Sequence, residues 1–247
     1  MSAIDLNADL GEGIGDDLAM LEIVSSASIA CGGHAGDETT MRAVLRAARD
    51  RGVVVGAHPG FADRENFGRK RLLLPPDELD ASIREQVRRL VEIGEEEGWP
   101  VRYVKLHGAL ANMAAEEPAI MALCLAAIEG LVEDMAVLAI DNSAQAETAE
   151  AMAYRTIREA YADRAYQPDG LLVSRQMPGA VLHDPAAIAE RAVRLAEHGE
   201  IVAMDGAVIK TSARSLCIHG DTPDAVAIAR GVRDGLAAAG VEIRAVL

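Results

Sequence analysis

Short apolar runs alternate with longer amphipathic stretches along almost all of this 247-residue chain, and this alternation constrains the fold more than any other feature. The apolar runs have the length of strands, and the longer stretches repeat apolar residues every three or four positions, as helices that cover a core do. Strands that alternate with helices pair in parallel through right-handed crossovers. The candidate strands are Ile4–Leu10, Ser28–Cys31, Val53–Ala57, Val101–Leu106, Met135–Ile140, Thr156–Ala160, Ile201–Met204 and Leu216–Ile218. The candidate helices are Thr39–Arg51, Asp77–Glu97, Pro118–Glu129, Ala144–Ala153, Pro185–His198 and Pro223–Ala239.

The number of candidate strands favours a closed barrel over an open sheet. Seven or eight parallel strands close into a β/α barrel, whereas fewer would give an open, doubly wound sheet. The sequence contains no Ser/Pro-rich linker, low-complexity segment or clear repeat, so residues 1–247 are predicted to form a single β/α-barrel domain. In such barrels the active site lies at the carboxyl ends of the strands, where the loops begin.

The charge of the chain argues against two classes of partner. With 24 Lys and Arg against 39 Asp and Glu, the net charge is -15, which repels nucleic acid and anionic lipid surfaces. An anionic substrate would therefore need a locally basic pocket. The three cysteines form no CxxC pair, and the sequence shows no signal peptide and no apolar run of about 18 residues. We therefore expect a soluble, cytoplasmic protein without disulfides.

Four of the six histidines follow strand-like runs at equivalent places. His34, His58, His107 and His219 each stand next to a glycine or one residue away from one. A single buried histidine is more often satisfied by packing than catalytic, but four at equivalent strand ends are hard to explain by packing. We interpret them as one active site. His183 and His198 fall at helix ends and are predicted to be surface residues.

Carboxylates and a lysine accompany these histidines. Asn7, Asp9 and Glu12 follow the first strand, where unpaired carboxylates are costly unless they face a polar pocket or a metal. The alternative is an ordinary helix cap or turn. Lys105 and His107 are two residues apart on a strand and should point to the same face, and a lysine in an apolar strand usually pairs with a carboxylate or contacts substrate.

The loop after His58 contains four cations in an otherwise acidic chain, Arg64, Arg69, Lys70 and Arg71. It is either a solvated surface segment or an anion clamp, since Arg binds carboxylates bidentately.

Standard cofactor motifs do not occur in the sequence. It contains no GxxxxGK[ST] loop, no GxGxxG, no GxSxG and no HExxH. An Asp and two His from different strands, Asp9, His34 and His58, remain a candidate set for one divalent ion.

Six segments, in order from end to end, resemble the LamB/YcsF family, whose members are the A subunits of ATP-dependent 5-oxoprolinase. They are DLNADLGEG (5–13), ASIACGGHAGD (27–37), VGAHPGFADRENFGRKR (55–71), VKLHGALAN (104–112), EAYADRAYQPDGLLVSR (159–175) and SLCIHGDTPDAV (215–226). The chain departs from the family pattern at Gly33, Leu106 and Ala111, where Phe, Pro and Tyr are expected, and the two missing aromatic rings would change the shape of a pocket.

The resemblance implies a barrel similar to those of the glycoside hydrolase/deacetylase superfamily. It also implies opening of the 5-oxo-L-proline lactam to L-glutamate, coupled to hydrolysis of ATP to ADP and phosphate, with Mg as MgATP. Two partner subunits, B and C, would be needed for this activity. The matching segments draw attention to a stretch that periodicity alone leaves as a loop, with Glu159, Asp163, Arg164, Asp169 and Arg175.

Residue type and placement suggest a role for each candidate. Asp9 or Glu12, with His58, would act as general base on water, and Lys105 and His107 would stabilise the developing oxyanion. The side chains predicted to hold the substrate, with arginine on its carboxylate, are Asn7, His34, Arg69, Asn112, Glu159, Arg164, Arg175 and His219.

Two other functions fit the same residues. One is a stand-alone deacetylase or amidohydrolase that depends on a divalent metal. The other is a non-catalytic subunit that binds the substrate and presents it to partners.

Overall fold

The barrel follows from parallel pairing of the predicted strands. The computed structural model describes residues 3–220 and 224–247. Seven parallel strands close into a barrel in the order β1-β2-β3-β4-β5-β6-β9, with β9 pairing back onto β1. Their bounds are β1 Ala3–Leu10, β2 Ser26–Ala30, β3 Val54–His58, β4 Val101–Val104, β5 Ala136–Ile140, β6 Thr156–Tyr161 and β9 Ser215–His219. The predicted β/α barrel is confirmed with seven strands.

Within residues 3–220 and 224–247, three further strands lie outside this ring. The predicted strand Ile201–Met204 is not a barrel strand: β7, Glu200–Val202, pairs antiparallel with β8, Val208–Lys210, in a separate hairpin. The remaining strand, β10, is Glu242–Ile243 and pairs with the first residues of β1. The apolar run 201–204 resembles a barrel strand in sequence, but its pairing partner is the short run that directly follows it.

Helices surround the barrel in the described part of the chain. They are α1 Asp17–Leu21, α2 Glu38–Arg51, α3 Pro76–Glu96, α4 Gly108–Glu116, α5 Pro118–Ile128, α6 Ala144–Ala151, α7 Pro185–His198 and α8 Ala225–Ala238. The side chains of Asp37 and Asp184 cap α2 and α7. The predicted start of the last helix, Pro223, lies outside the described residues. None of the helices in the described ranges is long and apolar enough to cross a membrane.

Alternation along each strand separates an apolar outer layer from a polar interior. On β1, Ile4, Leu6 and Leu10 join the large core cluster that packs against the helices. The intervening residues point into the barrel, where Asp5 accepts hydrogen bonds from serines of β2 and β9. The amino ends of the strands are closed by Tyr103, Leu138 and Ile157, which pack with the last two residues of the chain, 246–247. The opposite end is open and polar.

Candidate active site

A cavity of about 740 Å³ lies at the carboxyl ends of the strands, where the loops begin. This volume is typical of small-molecule sites. Most of the predicted site residues line it: Asp9, Glu12, His58, Arg69, His107, Asn112, Arg164, Arg175 and His219. The other four, Asn7, His34, Lys105 and Glu159, are buried around the cavity without lining it.

Lys105 ties together the polar groups beneath the cavity floor. Its ammonium lies 2.9 Å from both an Asp9 and a Glu159 carboxylate oxygen, 3.3 Å from the Asn7 amide oxygen and 3.0 Å from the Cys217 sulfur. Burial opposes the charged form, but the neighbouring carboxylates, Asp9 foremost, hold the pKa of Lys105 well above its usual value. Its three N–H donors are thus already engaged inside the barrel.

Asp9 and His58 form the floor of the cavity. The Asp9 Oδ2 lies 3.5 Å from His58 Nε2. Burial favours the neutral carboxyl, yet the charges of His58 and Lys105 outweigh it and hold the pKa of Asp9 well below its usual value. Burial likewise opposes charging of His58, but the Asp9 carboxylate raises its pKa.

Two more histidines complete this cluster. His107 Nδ1 lies 3.0 Å from His58 Nε2 and 3.6 Å from a carboxylate oxygen of Glu12, and that same oxygen lies 3.2 Å from His34 Nε2. The rings of His34 and His107 stack with centroids 3.5 Å apart. Burial and the nearby positive charge of His58 lower the pKa of His34 to about 2 and that of His107 well below its usual value, so both rings are neutral.

His219 lies beside Asp9, its partner in the pairing of β1 with β9, and has a carboxylate behind it. Its Nδ1 lies 2.9 and 3.0 Å from the two oxygens of Asp163, and one of these oxygens, Oδ2, also accepts its backbone N–H. Burial raises the pKa of Asp163, but the adjacent His219 and Arg164 together outweigh burial and lower it, so the group is a carboxylate. Tyr161 stacks on His219 with ring centroids 5.1 Å apart. The bond to Asp163 fixes the ring and leaves Nε2 as its free nitrogen.

The cationic loop divides between structural and cavity-lining residues. Arg64 donates to the carbonyls of Gly32 and Gly36 and so fastens the turn that holds His34. Arg69, Lys70 and Arg71 line the cavity. Arg69 lies over the Phe67 ring at 4.8 Å, and Arg71 pairs with Glu116.

The loop between β6 and α7 supplies the opposite rim. Arg164 is buried and donates to the carbonyls of Val173 and Ala180, so its guanidinium mainly holds the loop closed on itself. Arg175, farther along that loop, is half-buried and lines the cavity. The rim is therefore locally basic in a chain of net charge -15.

Sequence reasoning assigned no role to some residues that shape the site. Tyr161 lies two residues beyond Glu159 on β6, so the same-face rule identifies it. Asp163 follows the end of that strand, where this rule no longer applies. Gln86 of α3 bonds both backbone groups of Gly60 and occupies the space where a side chain at Gly33 would begin. This contact explains why Gly stands at position 33.

Comparisons with known proteins agree with this geometry. Residues 4–247 match the model of the LamB/YcsF family. The chain is 49% identical over 250 residues to the 5-oxoprolinase A subunit of Mycobacterium avium (strain 104), an alignment that covers 99% of both chains. It is 46% identical over 249 residues to the 5-oxoprolinase A subunit 1 of Agrobacterium fabrum, covering 99% of this chain and 98% of that protein.

Solved structures are similar over the same length. A lactam utilization protein from Thermus thermophilus superposes with a TM-score of 0.92 at 37% identity, covering 98% of this chain and 99% of that one. A family 4 carbohydrate esterase from Streptomyces lividans has a TM-score of 0.53 at 11% identity, covering 100% of this chain and 93% of that one. This second similarity concerns the fold alone.

Proposed function

Because this chain belongs to the LamB/YcsF family, we propose that it is the ring-opening A subunit of an ATP-dependent 5-oxoprolinase. It would convert 5-oxo-L-proline to L-glutamate with hydrolysis of ATP to ADP and phosphate. The observation that carries this proposal is the near full-length identity, 49% and 46%, with proteins named as the A subunit of 5-oxoprolinase. The basic, histidine-rich cavity supports it, because a cyclic amide with a carboxylate needs both proton transfer and a cationic binding group.

The stability of the lactam explains the need for ATP. An amide carbon is a poor electrophile, and transfer of a phosphoryl group to its oxygen would make it a good one. We assign this transfer, and binding of MgATP, to the partner subunits B and C, because the sequence of this chain contains no standard nucleotide motif. Water then attacks the activated carbon, the ring carbon–nitrogen bond breaks and the nitrogen takes up a proton, which leaves the new carboxyl group as an acyl phosphate. A second water hydrolyses this acyl phosphate to glutamate and phosphate.

His219 is the residue that the geometry favours for moving these protons. The Asp163 carboxylate accepts its Nδ1–H, so its free Nε2 can take a proton from water and return it to the departing nitrogen. Asp163 also stabilises the imidazolium that forms between these steps. The sequence predicts Asp9 or Glu12 with His58 for this role, but the low pKa of Asp9 makes that carboxylate a weak base.

Binding of the substrate carboxylate is assigned to the rim. Arg69 and Arg175 line the cavity from two different loops, whereas Arg164 donates to backbone carbonyls. The α4 helix begins at the cavity with His107 as its N-cap and no side-chain capping bond, so its positive end favours developing negative charge. Asn112, exposed on the same helix, also lines the cavity.

Lys105 serves this site from below as a positioning residue. Since its ammonium already contacts Asp9, Glu159 and Asn7, it neutralises two buried carboxylates and fixes the floor. We therefore assign it a different role from the oxyanion donor predicted from its position in the sequence.

The test is release of glutamate from 5-oxoproline by the chain co-expressed with its partners. Formation of glutamate is expected only when this chain, the partners and ATP are all present. Amide hydrolysis by the chain without ATP or partners, abolished by a chelator, would replace the proposal with a metal-dependent amidohydrolase. Tight 5-oxoproline binding with full tolerance of substitutions at His219, Asp9 and Lys105 would indicate a non-catalytic binding subunit.

A further inference from the structure

Two backbone carbonyls orient a pair of histidine rings at the cavity floor. His58 Nδ1 lies 2.8 Å from the carbonyl oxygen of Lys105, and His107 Nε2 lies 2.9 Å from that of Phe67. A carbonyl oxygen can only accept, so each of these two nitrogens bears the hydrogen. The other nitrogens of the two rings, Nε2 of His58 and Nδ1 of His107, are therefore the ones available to a proton or a metal ion.

These two nitrogens face one another at 3.0 Å. A proton on His58 Nε2 can bridge them when no ion is present, and a divalent cation between the two nitrogens would replace that proton. Donation of the remote N–H to a carbonyl is also the usual arrangement around histidines that bind metals, because it orients the ring and fixes the tautomer. The arrangement is therefore pre-organised for a cation.

A carboxylate completes a set of three converging donors. The Glu12 oxygen that faces the pair lies 3.6 Å from His107 Nδ1. Donor atoms around one tetrahedral ion with bonds of about 2.0–2.1 Å lie roughly 3.3 Å apart. The observed separations from His107 Nδ1, 3.0 Å to His58 Nε2 and 3.6 Å to the Glu12 oxygen, are close to this value. We propose that Glu12, His58 and His107 bind one divalent transition-metal ion such as zinc, with a fourth position open to the cavity.

His34 belongs to this site as a supporting residue. Its Nε2 is as close to Glu12 as a ligand would be, but its ring stacks on His107 with only 6° between the planes. A metal lies in the plane of an imidazole that binds it. Since the His34 and His107 rings are stacked nearly parallel with centroids 3.5 Å apart, one ion cannot lie in the planes of both. His34 Nε2–H instead donates to Glu12 and orients this carboxylate.

Asp9 is also outside the proposed ligand set. One of its oxygens is engaged by the Lys105 ammonium at 2.9 Å, and Asp9 is outside the group of residues whose donor atoms all lie within 4.8 Å of one another. The set predicted from the sequence, Asp9, His34 and His58, is thus replaced by Glu12, His58 and His107. Two imidazoles and one carboxylate favour zinc, cobalt or iron over magnesium, which distinguishes this site from the magnesium of MgATP. An ion there would act as a Lewis acid facing the substrate.

The test is metal content and the spectrum of a cobalt derivative, neither of which depends on the lactam reaction. The full chain, purified without chelator, is expected to contain about one equivalent of transition metal by mass spectrometry, as a site with three protein ligands would. After removal of that metal, addition of Co²⁺ should produce visible absorption bands and raise the thermal unfolding temperature above that of the metal-free chain.

Variants separate ligands from supporting residues. His107→Ala and Glu12→Gln should each abolish stoichiometric binding and the cobalt spectrum, whereas His34→Ala should weaken cobalt binding by about 10–100-fold while keeping the spectrum. The matched control, His183→Ala, removes a histidine outside the cavity and should bind as the unchanged chain does. If the unchanged chain binds neither Zn²⁺ nor Co²⁺, or if folded His107→Ala and Glu12→Gln both bind cobalt as it does, the proposal is wrong and a proton shared between His58 and His107 takes the place of the ion.

Discussion

Among single residues, Asp163 has the most specific assigned task, which is to hold His219. Asp163→Asn keeps the size of the side chain but removes the charge and leaves an amide that can turn its donor toward Nδ1. We expect the kcat for glutamate formation by the complete complex to fall by about 10²–10⁴-fold, with little change in the KM for 5-oxoproline. Steady-state kinetics of the co-expressed complex measures both.

Asp169→Asn is the matched control for this prediction. Asp169 lies on the same loop, is exposed, and bonds only the backbone N–H of Leu171 among the described contacts. It should leave kcat nearly unchanged. A folded Asp163→Asn complex with the kcat of the control would remove Asp163 from the mechanism.

Gly56 is required by the space inside the barrel. A Cβ at this position would lie 2.2 Å from the Tyr103 ring, which is almost fully buried. The rigid ring cannot move aside without disturbing the closed end of the barrel, so Gly56→Ala should lower the free energy of unfolding by about 1–3 kcal/mol. Urea unfolding followed by circular dichroism measures the change.

Gly231→Ala is the corresponding control. Gly231 lies within α8, and a Cβ there meets no atom within 4 Å. Because Ala favours a helix over Gly, this variant should be as stable as the unchanged chain or more stable by up to about 1 kcal/mol. Equal stability of the Gly56→Ala variant and the unchanged chain would contradict the packing described for Tyr103.

At the residue scale, the sequence predicts which side chains belong to the site, but it does not predict the individual contacts that each one makes. His34, His58, His107 and His219 are recognisable because glycine-marked strand ends place them at one end of a barrel. The partners of Lys105 depend on how far the ring of strands tilts, since Asp9 and Glu159 come from β1 and β6. No local pattern contains that information.

Between elements, Asp141 is the clearest electrostatic connection. It follows β5 and accepts hydrogen bonds from Arg158 of β6 and from Thr211 and the backbone of Ser212, in the segment that leads into β9. Burial raises its pKa, but these bonds outweigh burial and lower it. A carboxyl with a lowered pKa stabilises the fold above its unfolded pKa of about 3.9, and this contribution is lost as the pH falls through the folded value.

Asp141→Asn should therefore reduce stability in a manner that depends on pH. We expect a loss of about 1.5–3 kcal/mol at neutral pH, as for hydrogen bonds to a charged group, and a smaller difference from the unchanged chain below about pH 4. Urea unfolding at several pH values tests this. Asp234→Asn, on the exposed face of α8, should show no such trend. A difference that is constant or grows on acidification would contradict the assignment.

The secondary-structure elements were predictable where periodicity is strong. The barrel strands and the long helices α2, α3 and α7 have clear apolar patterns. The helix α4 is buried on most sides, so Gly108–Glu116 lacks the polar face that identifies an amphipathic helix. The sequence predicts a barrel strand at 201–204 because a hairpin strand and a barrel strand share one local pattern, and only the pairing distinguishes them.

At the scale of the whole molecule, the interior of the barrel is polar from Asp5 to the cavity, although the chain is half hydrophobic. Asp5, Asn7 and Asp9 alternate along β1 with apolar residues that pack against the helices. The hydrogen-bonded interior holds the cavity floor in place, and two loops from different parts of the sequence supply the basic rim. The fold thereby concentrates cations around one opening of an acidic molecule.

The central claim is that the lactam ring opens in this cavity, with His219 moving the protons. The most direct measurement is the amount of glutamate formed per ADP by the complex that contains His219→Gln, with circular dichroism as the test of folding. We predict that glutamate formation falls at least about 100-fold and that this ratio falls well below that of the unchanged complex. Glutamate formed at the unchanged rate and ratio by a folded His219→Gln complex would contradict the account.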